Sequence, residues 1–229
     1  MEFTEDHAMF RKTVRDFVER EINPHVDEWE SAGIFPAHEL FPKLGALGLL
    51  GLEYDEAHGG QGADHSYTVI FGEELGRIHC GGVPMAIAVQ SDMATPSLAQ
   101  FGTEELKQQF LVPAISGEAV AAIAVTEPDA GSDVASLRTR AVRDGDDWII
   151  NGTKLYITNG TQADWLCLLA RTSDEGGSAF FLVFGSREHL RLPGFRQESR
   201  FDRDGGHRRS PENEERRLRD PTHRKPPLF

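Results

Sequence analysis

The chain has 229 residues, is 39% hydrophobic and 27% charged, and carries a net charge of −13. That is enough soluble-protein sequence for one large domain or two small ones. No apolar run nears the roughly 20 residues of a membrane span, and the acidic body argues against nucleic acid as the main partner.

An anionic coenzyme needs only local donors and stays open. The acidic start, M-E-F-T-E-D-H, lacks both a secretion signal and an Arg-rich transit segment, so the expected location is the cytoplasm. Cys80 and Cys167 form no close pair, and neither a disulfide framework nor a metal site is expected.

Phe10, Val14, Phe17, Val18 and Ile22 recur at helical spacing and predict a helix over residues 4–30. Thr4 is its expected N-cap, and Pro24 is a place where it kinks or breaks. A second helix starts near Pro36 with Leu40, Phe41, Leu44 and Leu47 inward, shortened or loosened by Gly45 and Gly48. Residues 53–63 (E-Y-D-E-A-H-G-G-Q-G-A) read as a loop. Their glycines suit turns better than phosphate, because no G-K-S/T follows.

Asp64 is the expected N-cap of a helix through about Ile78, with Tyr67, Ile70, Phe71 and Leu75 as its apolar side. Its neighbouring Glu73 and Glu74 point different ways, which argues against a shared acid/base site. A helix over residues 84–101 brings Met85 and Met93, which are either core filler or the lining of an apolar channel. Thr103 caps a further helix.

Residues 119–184 change to strand character, with expected strands at 119–126, 137–143, 147–151, 154–158, 165–171 and 179–184. Pro128 ends the first strand, Gly131 permits close backbone approach, and Asp144-Gly145 signals a hairpin. From residue 186 onward there are eleven Arg and no Ala, Val, Ile, Met, Trp or Tyr. Residues 1–185 carry −17 and residues 186–229 carry +4. The composition of the last segment predicts a disordered basic tail.

Two stretches carry a specific likeness: V-T-E-P-D-A-G-S-D from Val125, and I-N-G-T-K-L-Y-I-T-N-G from Ile150. Together they resemble the paired signatures of the flavin-dependent acyl-CoA dehydrogenase family, in the family's order from about Phe3 to Val183. The resemblance implies an α+β chain. Residues 1–117 form an all-helical domain, 118–185 a mostly antiparallel β domain, and 186–229 the tail. By the same resemblance, the family's C-terminal four-helix bundle is expected to be missing. The abrupt change in residue usage after Gly185 is consistent with an early truncation or an out-of-frame tail.

What the family resemblance implies chemically is an oxidoreductase acting on CH–CH bonds in fatty acid metabolism. It takes FAD as cofactor, an acyl-CoA thioester as substrate and an electron-transfer flavoprotein as partner. By that resemblance Ile123, Ala124, Val125, Thr126, Gly131 and Ser132 run along the flavin, and Ser132 also meets the acyl-CoA. Tyr156, Ile157 and Thr158 pack beside the ring, with Tyr156 where the family usually has Trp. Read alone, Thr126 and Thr158 are also ordinary strand-end hydroxyls. Glu127 and Asp133 are assigned to fixing the turn and bonding loop amides. The family's proton acceptor lies in the missing domain, so no catalytic base is nominated and the chain alone is expected to be inactive. Two other readings remain: a non-catalytic flavin- or acyl-CoA-binding fragment or a docking partner of an intact homologue, and a related flavin oxidase or monooxygenase. Family oligomers depend largely on the bundle, which leaves assembly open.

Overall fold

The structure, a computed structural model, describes residues 3–144, 147–172 and 180–186. The tail expected beyond Ser186 lies outside them, as does Gly145 of the hairpin signal.

The first helical segment is four pieces rather than one. Helix α1 (Glu5–Phe17) runs into a π turn (Val18–Ile22), a 3-10 turn (Asn23–His25) and α2 (Val26–Ala32). Pro24 has no amide hydrogen for the ladder, and the helix reorganises there. At the start the Thr4 amide donates to His7 Nδ1 (3.0 Å), and His7 Nε2 lies 2.6 Å from Ser66 Oγ. Helix α3 (Ala37–Ala46) buries Leu40, Phe41 and Leu44. Leu47, expected inward, is 47% exposed because the helix has already ended at Ala46. Gly45 has a firmer reason than loosening: a Cβ there would meet the Ser116 carbonyl oxygen at 1.9 Å. Residues 53–63 close on themselves through backbone bonds, among them Gly62 N to Tyr54 O (2.9 Å) and Ala63 N to Leu52 O (2.8 Å).

Asp64 caps α4 (His65–Leu75), accepting the Ser66 amide at 2.8 Å. This helix stops at Gly76, short of Ile78. Next come α5 (Gly82–Ala88), a second π turn (Val89–Met93) and α6 (Pro96–Phe101). Helix α7 (Glu104–Leu106), capped by Thr103, passes through a third π turn (Lys107–Leu111) into α8 (Val112–Ser116). The helical core gathers Val14, Phe17, Phe41, Leu44, Phe71 and Ile87. Full burial of such a side chain stabilises by ~1.5–3 kcal/mol.

The sheet comprises β1 (Ala121–Ala124), β2 (Arg140–Asp144), β3 (Asp147–Asn151), β4 (Trp165–Arg171) and β5 (Phe180–Ser186). It is mixed, with parallel pairings beside the antiparallel ones. Strand β4 is parallel to β1 (Ala121 opposite Trp165) and meets β2 in parallel at Arg140 and Arg171. The pairs β2–β3 and β4–β5 are antiparallel. The expected strand at 154–158 is absent. Tyr156 (φ 55°) and Asn159 (φ 64°) are left-handed, which breaks the extended run.

Helices and sheet are joined through Gln90, which sits in the second π turn. Its amide nitrogen donates to the Ala114 and Ala119 carbonyls (3.0 and 2.8 Å), and its oxygen accepts the Ala121 amide (2.7 Å). Phe110, Trp165 and Phe184 pack in tilted pairs in the same core cluster as Ala114 and Ala121.

Candidate functional site

Two loops meet where β1 ends. Strand β1 is Ala-Ala-Ile-Ala, small enough to pack closely against β4. Past Val125 the chain turns sharply: the Glu127 amide donates to Ala130 O (2.8 Å) and the Ala130 amide returns to Glu127 O (3.3 Å). Gly131 and Ser132 follow, exposed, with open space where a Gly131 Cβ would stand. The second loop comes from residues 152–160. Its Leu155 amide donates to Thr126 O at 2.9 Å, which fastens the two sequence motifs to each other.

Of the residues singled out by the sequence, Ile123, Val125, Thr126 and Thr158 are half-buried. Ala124 and Ile157 are buried; Ile157 packs with Ala122, Ile150 and Leu168. Tyr156 is 72% exposed. Among the described residues, the hydroxyls of Thr126, Ser132 and Thr158 make no side-chain hydrogen bond. Thr126 is thus brought beside the Leu155–Thr158 loop, while Ser132 lies on the exposed loop beyond the turn.

The left-handed backbone of Tyr156 is unusual for a bulky residue and costs on the order of 1–3 kcal/mol. Its neighbours over-determine it. On one side Leu155 is tied to Thr126. On the other, Ile157 is buried and the buried Asn159 amide nitrogen donates to Ala86 O (2.9 Å) and Ala121 O (3.1 Å). The Tyr156 side chain is thereby left exposed on the loop that carries Thr158.

Beneath the loops lies an ion pair that sequence reasoning missed. Lys154, 1% exposed, donates from Nζ to Val125 O (2.8 Å) and Glu127 Oε1 (2.9 Å). Glu127 also accepts the amides of Arg138 (2.6 Å) and Thr139 (2.9 Å). Its role is structural, as expected, but it clamps the approach to β2 rather than its own turn. Burial pushes the Glu127 pKa up, yet the surrounding donors outweigh it and hold the carboxyl below its usual value. Burial pulls Lys154 below its ordinary pKa, against the opposing pull of Glu127. Asp133 accepts the Ser136 hydroxyl instead of a loop amide. The one available signal for Lys154 was a lone cation just before Leu155, Tyr156 and Ile157.

Two adjoining cavities lie on the helical side. One of about 280 Å³ is lined by Glu53, Tyr54, His65, Thr68 and Ser91; the other, about 330 Å³, by Leu75, Pro84, Met85 and Ala88. They share Thr68, Phe71 and Asp92. Met85 therefore lines a cavity, whereas Met93 lines neither of these two. Burial raises the pKa of Asp92, opposed by the Ser91 hydroxyl. Among the described residues no group of acidic, His and Cys side chains is placed to hold a metal. None of their helices is long and apolar enough to cross a membrane.

A helical layer joined to a small mixed sheet, with two signature loops fastened at one strand end, is the architecture of the first two domains of a flavoprotein dehydrogenase. The chain belongs to the acyl-CoA dehydrogenase family: residues 4–118 match its N-terminal domain and residues 122–214 its middle domain. The second match runs past Gly185. The long-chain specific mitochondrial acyl-CoA dehydrogenase of Rattus norvegicus is 41% identical over 186 residues, which is 79% of this chain and 43% of that protein. The acyl-CoA dehydrogenase of Geobacillus kaustophilus superposes with a TM-score of 0.76 at 40% identity, covering 81% of this chain and 49% of that one. Glutaryl-CoA dehydrogenase from Mycobacterium smegmatis, solved in complex with FADH2, gives 0.72 at 34% identity, with 80% and 46% covered. The chain thus spans less than half the length of these relatives.

Proposed function

We propose that this chain supplies the flavin-facing part of an FAD-dependent acyl-CoA dehydrogenase that desaturates an acyl thioester between its α and β carbons. The observation that carries the reading is the Leu155–Thr126 bond, which joins both signature loops into one wall. The local chemistry fits a flat polar ring. Small residues allow close approach, two threonine hydroxyls are unspent, and an aromatic side chain is held outward.

In this reading Thr126 and Thr158 donate to the ring's polar atoms, Tyr156 covers its edge and Ser132 reaches the coenzyme and the thioester arm. Bound there, FAD supplies the acceptor for the hydride that leaves the β-carbon. The proton acceptor for the α-carbon is not among these residues. Glu127 is buried and spent on three donors, and Asp133 is engaged by Ser136. That favours a second reading beside the first: taken alone, the chain is a flavin- and acyl-CoA-binding unit with little turnover. An electron-transfer flavoprotein is the expected electron partner of the complete enzyme. The domain limits of 1–117 and 118–185 belong to the same proposal.

The experiment is titration of the purified chain with FAD, followed by quenching of flavin fluorescence, then addition of acyl-CoA under anaerobic conditions. Weak saturable binding without bleaching of the flavin band is expected. Rapid bleaching would place a proton acceptor within this chain, and absence of saturable binding would remove the flavin assignment.

A further inference from the structure

We infer that Lys154 is a positioning residue: its bridge from Val125 O to Glu127 sets the separation of the β1 end from the Tyr156–Thr158 loop, and so the shape of the wall offered to the flavin. The inference rests on the FAD reading above.

Three segments converge on one buried ammonium. Val125 is the residue after β1, where its carbonyl has left the ladder, and a buried carbonyl without a donor is costly. Lys154 Nζ supplies that donor at 2.8 Å. The same ammonium holds Glu127 at 2.9 Å, and Glu127 in turn holds the Arg138 and Thr139 amides at the approach to β2. The next residue, Leu155, bonds back to Thr126 O, so the lysine acts within one residue of both threonine-bearing segments. The two side chains are 1% and 5% exposed, so water does not compete for the bond between Lys154 and Glu127.

A buried ion pair is poor evidence for stability, because apolar residues of similar volume often serve as well. What an apolar pair cannot supply is the donor to Val125. The lysine's contribution should therefore separate from stability, which a merely structural pair would not allow.

The test compares wild type, Lys154→Met and the double variant Lys154→Met/Glu127→Gln. Three readouts are taken: urea unfolding, FAD affinity with visible circular dichroism of the bound flavin, and amide exchange of the flavin-free chain. In the double variant the urea midpoint is expected to return toward wild type. Its FAD affinity should stay about tenfold weaker, the equivalent of one lost hydrogen bond, with an altered flavin signal. The Leu155 amide is expected to exchange about tenfold faster in both variants, on the same hydrogen-bond estimate. Should Lys154→Met alone not fold, the double variant carries the comparison. An unchanged Leu155 exchange rate in a folded variant, or FAD affinity that tracks stability across all folded forms, would overturn the inference. If wild type shows no saturable FAD binding, the FAD reading fails, and the exchange measurement still decides whether Lys154 sets the loop.

Discussion

At Tyr156, strain and exposure coincide. A tyrosine at φ 55° with 72% of its surface open contributes little burial to offset its backbone cost. Tyr156→Gly is therefore expected to raise the unfolding free energy by roughly 1 kcal/mol, since relief of the left-handed strain exceeds glycine's added unfolded-state entropy. It should weaken FAD binding at the same time. Urea unfolding and fluorescence titration of the same protein check both halves. Thr126→Val and Thr158→Val should behave differently. Because neither hydroxyl is used by another side chain of the described protein, stability should move by no more than about 0.5 kcal/mol, while FAD binding weakens by about five- to tenfold, as for one lost hydrogen bond. Equal loss of stability and affinity would place those hydroxyls in the packing instead. The two threonines could be proposed from the sequence because they stand inside long motifs. Lys154 and Asn159 were not, because their partners are the carbonyls of Val125, Ala86 and Ala121. Which backbone groups lie buried without a ladder partner is a property of the folded chain.

Among the elements, the α1–α4 contact holds one buried carboxylate. Glu74, 1% exposed, is held by Arg11 and Arg15 at 2.9 Å and by Arg77 at 2.8 Å, while the more exposed Glu73 takes a further bond from Arg11 at 2.5 Å. The Arg15 hydrogen bonds, against an opposing burial cost and with help from Arg11, lower the Glu74 pKa from 4.5 to about 2. A lowered folded-state value gives stability that is complete above the unfolded pKa and lost as pH falls toward the folded one. Unfolding of the helical part is thus expected to become easier as pH drops from 4.5 toward about 2. Glu74→Gln should flatten that dependence at the cost of lower stability at neutral pH, and helical circular dichroism in urea across this range measures both. Helix positions were largely evident from apolar spacing and from Asp64 and Thr103. Their continuity was not, since a π turn keeps the apolar rhythm while adding a residue. The 154–158 run misled for a related reason: its Leu, Tyr and Ile are strand formers, and tertiary bonds overrode that preference.

On the scale of the whole molecule, Gln90 and Asn159 both tie the two layers together through hydrogen bonds. Gln90 makes three hydrogen bonds to Ala114, Ala119 and Ala121 from a fully buried position. Gln90→Ala is expected to cost about 3 kcal/mol, by ~1 kcal/mol per bond lost. It should also split one unfolding transition into two, with the helical signal and the exposure of Cys167 in the sheet no longer coincident. Cys167 offers that monitor. It lies in β4 between Ile123 and Phe184, and burial raises its thiol to about 12. Alkylation of Cys167 should be negligible in the native protein and appear only as the sheet opens, whereas half-buried Cys80 reacts earlier. The order of layers followed from the sequence. The parallel pairing of β1 with β4 did not, because a run such as Ala-Ala-Ile-Ala carries no mark of its partner's direction.

The three π turns, at Val18–Ile22, Val89–Met93 and Lys107–Leu111, each hold one residue more than a regular helical turn of the same span. Excision of a single residue there would leave an unbroken α-helix. Such shortening should be tolerated near Val18, where the chain bends again at Pro24, and be ruinous near Val89, where it would swing Gln90 away from the sheet. One-codon deletions scored for soluble expression would thus separate the turn near Val18, which accommodates length, from the one near Val89, which aims a side chain.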